Sequence, residues 1–329
     1  MTGTPYRVTA LGGGHGLFAS LASLRRLPVD LTAVVTIADD GGSSGRLREE
    51  FGVLPPGDLR MALAALCGDD EWGETWARVL QHRFAGSGEM RGHVVGNLLI
   101  VSLWEQLGDP VAALDWVGRL LGARGRVLPM ALTPIDISAE VSGLDPSDPS
   151  ALTTVRGQVA IASSPGSIES ISLIPPDLRP CPEAVAAVRE ADLVVLGPGS
   201  WFTSVIPHLL LHELGRALAA TRARVVVTLN LVPQAGETDG YSPQDLLRVL
   251  LAHAETFGGL HVDTVIADVE ATPDVKELTA YARAIGASLV VSRLAAEDSA
   301  ERHDPKRLSE AFAQALAERA VTEGEHRWR

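Results

Sequence analysis

Side chains and glycines suited to holding an anion gather at a few points of this chain, each beside an apolar run. Gly12-Gly13-Gly14-His15-Gly16-Leu17 lies between an expected strand and an expected helix. Glycines there allow positive φ and close approach of a ligand, and the free N–H groups opening a helix favour an anion. The loop is not the dinucleotide fingerprint, because Leu17 stands where the third glycine belongs, and the lysine of a Walker loop is missing. A tight turn without a ligand is the competing reading. His15 either touches a ligand or is simply exposed.

The segment Ala38-Asp39-Asp40-Gly41-Gly42-Ser43-Ser44-Gly45-Arg46 follows the second expected strand. At that edge of an open α/β sheet an acidic residue can meet ribose hydroxyls or a metal. Flexible backbone donors, the hydroxyls of Ser43 and Ser44, and Arg46 would grip phosphate. The alternative is a polar loop whose aspartates cap a helix. Mg²⁺ is the one cofactor the motif suggests, at Asp39 or Asp40, and it would need the ligand's phosphates to complete its shell.

Pro55-Pro56-Gly57-Asp58-Leu59-Arg60 reads as a helix start, with Asp58 better explained as its cap than as a ligand residue. Arg60 in that first turn opposes the helix dipole, so a nearby anion or carboxylate is expected. Gly96-Asn97 opens an apolar helix, where Asn97 either reads a ligand or is a satisfied buried amide. Leu196-Gly197-Pro198-Gly199-Ser200 repeats the strand-then-glycine pattern of the first loop, so the two would face one crevice at a switch in strand order. Trp201 and Phe202 would wall a base or pack on the sheet. Asn230 ends another strand, and Gly236–Tyr241, with Thr238, precedes a helix capped by Ser242.

Positioning these groups calls for alternating strands and helices, and the chain supplies them. Strands are expected at Arg7–Leu11, Thr32–Ile37, Leu193–Leu196, Val225–Asn230, Thr264–Ala267 and Ser288–Ser292. Helical patterns lie between them, at Leu17–Leu27, Asp58–Leu66, Val94–Leu107, Val111–Leu120, Pro182–Glu190, His208–Ala219, Pro243–His253, Lys276–Ile285 and Pro305–Ala320. This is the form of a Rossmann-like, mostly parallel sheet with helices on both faces. Residues of about 126–180 break the rhythm with alternating runs at Ile135–Val141, Thr153–Ala162 and Ile168–Ile174, a small β-rich insertion in a single α/β domain spanning 1–329.

With 46% hydrophobic and 21% charged residues the chain can bury a full core. A net charge of −13 argues against sequence-independent nucleic-acid binding, so any anion must be held locally. Cys67 and Cys181 are too few and too distant for a disulfide framework or zinc cluster, and no apolar run approaches the ~20 residues of a membrane helix. A cytoplasmic protein without a membrane span is the expectation. No nucleophile elbow and no H-E-x-x-H motif occurs.

Across Gly12–Leu17, Ala38–Arg48, Pro55–Arg60, Gly96-Asn97, Leu196–Ser204, Gly236–Tyr241 and Arg302–Pro305 the sequence resembles the bacterial gluconeogenesis factor family, relatives of the 2-phospho-L-lactate transferases of deazaflavin cofactor synthesis. The resemblance covers most of the chain. It implies a homo-oligomeric regulator that binds UDP-sugars such as UDP-N-acetylglucosamine and directs carbon into cell-wall precursors, with effects on growth and cell shape on gluconeogenic carbon sources. Implied partners are glucosamine-6-phosphate synthase and a serine/threonine kinase. The implied site comprises Gly13, Gly14, His15, Gly16, Asp39, Asp40, Ser43, Ser44, Arg46, Asp58, Arg60, Asn97, Gly197, Gly199, Ser200, Asn230 and Thr238, joined by Tyr281 and Arg302 from the C-terminal third. No catalytic residue is implied for a regulator. The alternative is a Mg²⁺-dependent transferase acting on a nucleotide diphosphate-linked substrate, although the Gly-Gly-Ser-Ser-Gly-Arg form is that of the regulatory branch.

Overall fold

A computed structural model describes residues 5–234 and 236–326. Its strands are β1 (Tyr6–Gly12), β2 (Val29–Val35), β3 (Arg126–Pro129), β4 (Asp136–Ser142), β5 (Thr153–Arg156), β6 (Ser167–Ile174), β7 (Leu193–Leu196), β8 (Arg224–Thr228), β9 (Thr264–Asp268), β10 (Ser288–Ser292), β11 (Ala295–Ala296) and β12 (Ser299–His303). Seven of them form one sheet in the order β10-β9-β8-β7-β1-β2-β3, and every pairing in it is parallel. All four residues of β7 are buried, as are Val8–Gly12 of β1. Such continuous apolar runs belong to strands covered on both faces.

The helix Gly14–Leu24 packs on Pro56–Ala65 and on Pro305–His326, while Pro182–Glu190 packs on His212–Ala219 and against β1 and β3. From the central pair β1 and β7 the chain winds outward in both directions, so strand order reverses between them. Ligand crevices of open α/β sheets lie at such a reversal, beyond the carboxyl ends of the strands. The two expected glycine loops follow these two strands.

Strands β5, β4 and β6 form a separate antiparallel sheet. Its first strand begins at Asp136, because β3 is the edge of the main sheet. The alternating run from Thr153 is a strand only to Arg156 and then turns into a short helix, Gln158–Ala162. The Gly42–Phe51 segment, expected as a loop, is a helix. Gly45 permits it, since a Cβ there would lie 2.2 Å from Asp40 O. A further helix, Glu71–Gln81, is capped by Asp70, which accepts from Gly73 N at 2.8 Å. The expected helix over 208–219 is two, Pro207–Leu210 and His212–Ala219, preceded by a π-turn at Trp201–Val205. No helix among the described residues is long and apolar enough to cross a membrane.

Candidate functional site

Because β1 and β7 are neighbours, the loops that leave them are pressed together. A Cβ on Gly16 would lie 2.1 Å from Pro198 O and 2.4 Å from Gly199 Cα, so the contact is backbone against backbone. Gly197 (φ 73°) and Gly199 (φ 136°) take conformations that side chains disfavour. The second loop is held from the β8 side. Asn230 Oδ1 accepts from Gly199 N at 2.8 Å, and Asn230 Nδ2 donates to Gly199 O at 2.9 Å. Ser200 Oγ and Thr203 Oγ1 donate to the buried carboxylate of Glu237 at 2.5 and 3.1 Å. Burial raises the Glu237 pKa, opposed by those hydroxyls. Glu237 carried no sequence signal, since nothing in its local pattern foretells a partner 37 residues away.

At the first loop, Gly13 caps the helix Gly14–Leu24 without a side-chain bond. Asp58 is not the cap of its own helix. Pro55 holds that position, and the Asp58 carboxylate instead accepts from the Gly14 amide across the crevice. Burial, with Asp39 nearby, pushes the Asp58 carboxyl up to about 7, and burial likewise raises that of Asp39. Arg60 is buried within the field of both carboxylates, which explains its place at a helix start, and its Nε has no hydrogen-bond partner.

The two adjacent aspartates diverge. Asp39 Oδ1 accepts from Gly41 N at 2.9 Å, while Asp40 accepts from Val159 N at 3.2 Å and ties the Gln158–Ala162 helix to the crevice rim. Asp39 acts on the titration of Asp58 and is itself acted on by Asp40, so three carboxylates gather here. Among the described residues no three His, Cys, Asp or Glu side chains converge as a metal set. Amide donors and Arg60 already engage these carboxylates, so the donor set does not suit a metal ion held by the protein alone.

The hydroxyls of Ser43 and Ser44 are buried and bonded within the protein. Ser43 Oγ accepts from Val94 N and from Asn97 Nδ2, both at 3.2 Å, and Ser44 Oγ accepts from Gly57 N at 3.0 Å. Asn97 is buried, with its Oδ1 unpartnered. Arg46 and His15 are exposed, and Arg46 donates to Arg91 O at 2.9 Å. The buried Thr238 accepts from Gln234 N at 2.8 Å and shapes the turn after β8.

The side-chain partners of Tyr281 and Arg302 lie outside the glycine loops. The Tyr281 ring is half-buried on the helix Val275–Ala284, with the Arg248 guanidinium 5.4 Å from its centroid. Arg302, on β12, pairs with Asp298 at 2.6 Å. The β11–β12 hairpin is anchored to the sheet by Asp268, which accepts from Leu294 N and Ala295 N at 2.6 and 3.1 Å. Asp268 also lines a narrow cleft of about 50 Å³ with Asn230, Thr238 and Tyr241 at the ends of β8 and β9.

The arrangement offers two loops of main-chain amides, a paired carboxylate and one buried guanidinium at a single sheet reversal, which suits binding and orienting a phosphate ester. A family model described as "2-phospho-L-lactate transferase CofD" matches residues 8–317. A protein of Mycobacterium leprae is 51% identical, over 94% of this chain and 86% of its own. The gluconeogenesis factor of Listeria monocytogenes is 36% identical, over 94% of this chain and 95% of its own. A crystal structure of a UPF0052-family protein from Bacillus halodurans superposes with a TM-score of 0.82 at 33% identity, covering 94% of this chain and 99% of that one.

Proposed function

This chain belongs to the 2-phospho-L-lactate transferase CofD family and is a relative of the gluconeogenesis factors, and from that premise we propose that it binds a UDP-sugar, UDP-N-acetylglucosamine first among them, as a regulator of carbon flow into cell-wall precursors. The observation that carries the reading is the contact of the Gly12–Gly16 and Gly197–Ser200 loops at the reversal of strand order. A diphosphate has two anionic groups, and two adjoining glycine loops offer one approach to each. Asn230 and Glu237 hold the second loop in place before a ligand arrives, which lowers the entropy cost of binding.

Asp39 and Asp58 supply no positive charge, and among the described residues Arg60 is the buried cation whose field acts on both. The site therefore suits recognition better than phosphoryl transfer, which depends on dense positive charge around the transferring group. A regulator of this kind works through partner proteins, and glucosamine-6-phosphate synthase and a serine/threonine kinase are the proposed ones. The reading is tested by calorimetric titration with UDP-N-acetylglucosamine. The transferase alternative is tested by mass spectrometry of incubations with Mg²⁺, the deazaflavin alcohol and nucleotide-linked lactate, in which product formation would displace the regulatory reading.

A further inference from the structure

Two tryptophans stand half-exposed on neighbouring helices of this chain, Trp72 at 55% and Trp116 at 54%. The helix Glu71–Gln81 buries Gly73 and Leu80, and it turns Trp72, Trp76 and Val79, at spacings of four and three residues, onto one face beside them. Trp72 Nε1 donates to Leu120 O at 3.2 Å, which carries this stripe across to the helix Pro110–Leu121. There Trp116 and Leu120, one turn apart, are both exposed.

Both exposed rings are held in place within the chain. Trp72 lies against Trp76 with ring centroids 5.7 Å apart, and the Arg119 guanidinium lies 5.0 Å from the centroid of Trp116. Tryptophans fixed in this way are the anchors of protein interfaces. At half exposure the pair leaves roughly 200–250 Å² of ring in water, and Leu120 and Val79 extend it to the few hundred Å² that mark an interaction site. With a polar rim of similar size, such a core approaches the ~800 Å² per partner of a standard interface.

The charges along the exposed helix identify the occupant. Glu71, Thr75 and Arg78 repeat the same spacing and form a second, polar stripe flanking the apolar one, acidic in the first turn and basic in the last. Among the described residues neither Glu71 nor Arg78 is ion-paired within the chain, and Arg78 donates to Thr75 Oγ1 at 3.4 Å. A second copy of this helix laid antiparallel sets Trp72 of one copy against Val79 of the other, with Thr75 and Trp76 near the two-fold axis. The same arrangement brings each Arg78 beside the other copy's Glu71 and opposes the two helix dipoles. Self-complementarity of this kind is what a two-fold contact requires. An anionic lipid surface fits poorly, because Glu71, Glu74 and a net charge of −13 repel it.

We propose that this face is the seam of a two-fold dimer, in which the helices Glu71–Gln81 of two copies pack antiparallel and Trp72 and Trp116 are the anchors. No residue of the glycine loops belongs to the patch, so the proposal stands independently of the UDP-sugar reading.

Sedimentation velocity of the full chain between about 1 and 100 μM tests it. Wild type is expected to dimerise, and Trp72→Ser and Trp116→Ser to weaken the dimer at least tenfold, with circular dichroism confirming that each variant is folded. Arg78→Glu places like charges across the seam and is expected to weaken the dimer about tenfold, while Glu71→Arg combined with Arg78→Glu restores it. This charge exchange carries the test if the tryptophan variants do not fold. A wild-type chain that stays monomeric throughout, or a dimer indifferent to both tryptophan changes, would overturn the proposal. Failure of the double charge exchange to restore what Arg78→Glu weakens would overturn the antiparallel pairing.

Discussion

Asp58 accepts a hydrogen bond from the Gly14 amide, so a carboxylate from one helix closes the N-terminus of another at the point where a phosphate would sit. A Cβ on Gly13 would lie 2.6 Å from Asp58 Oδ2, which shows how closely the carboxylate approaches that backbone. The site thus carries its own anion, and a ligand phosphate must displace it or neutralise it.

This contact gives stability a definite pH dependence. The Asp58 carboxyl is raised from 3.8 to about 7 by burial and by Asp39, so between those values the folded chain keeps a proton that the unfolded chain has lost. The contribution of Asp58 to stability is then greatest below the unfolded value and declines as pH rises towards 7. Asp58→Asn removes the decline. Urea denaturation should show the variant gaining on wild type between pH 5 and pH 8, and an identical stability difference at both pH values would contradict the assignment.

Gly16→Ala tests the contact of the two loops. The new Cβ meets Pro198 O at 2.1 Å and Gly199 Cα at 2.4 Å, both backbone atoms with no easy retreat. The expected cost is about 1–3 kcal/mol, as for other overpacked sites, together with weaker ligand binding. Gly86→Ala, where nothing lies within 4 Å of the new Cβ, is the control and should be close to neutral. Equal unfolding midpoints for the two variants would show that the loops are not in contact.

Asn230→Ala removes both bonds to Gly199, at 2.8 and 2.9 Å, while Ser20, which donates to Gly197 O, and the bonds of Ser200 and Thr203 to Glu237 remain. The expected loss is about 1–3 kcal/mol in stability, with faster amide exchange at Gly199. Unaltered exchange there would mean that Asn230 does not fix the loop.

Arg302→Ala is expected to weaken UDP-N-acetylglucosamine binding about tenfold, the loss of one charge-assisted contact. In the structure Arg302 pairs with Asp298 on the β11–β12 hairpin, so the variant asks whether that hairpin takes part in binding. Calorimetry on the variant decides it, and an unchanged dissociation constant would exclude the hairpin from the site.

The sheet was legible because its strands are short β-branched runs with a period that helices do not share. Leu193–Leu196 and Ser288–Ser292 are strands over the same residues that the apolar pattern predicts. The Gly42–Phe51 helix was not legible, since three glycines and two serines in a row read as a loop, and the bonds of Ser43 and Ser44 that help hold that turn are tertiary. The part played by Asp58 was hidden for the same reason. Asp39 and Asp40 are adjacent in sequence and act on each other, Asp40 also accepts from the Val159 amide 119 residues later, and Asp58 joins them from another helix in the field of Asp39. Glu237 lay in a polar turn whose value depends on which other turn packs against it.

The central claim is binding of a UDP-sugar at the paired glycine loops, and calorimetric titration of the wild-type chain with UDP-N-acetylglucosamine tests it most directly. The account predicts saturable binding with a dissociation constant below about 1 mM, lost or strongly weakened in Gly16→Ala. No heat of binding at millimolar ligand, from protein shown to be folded, would contradict it.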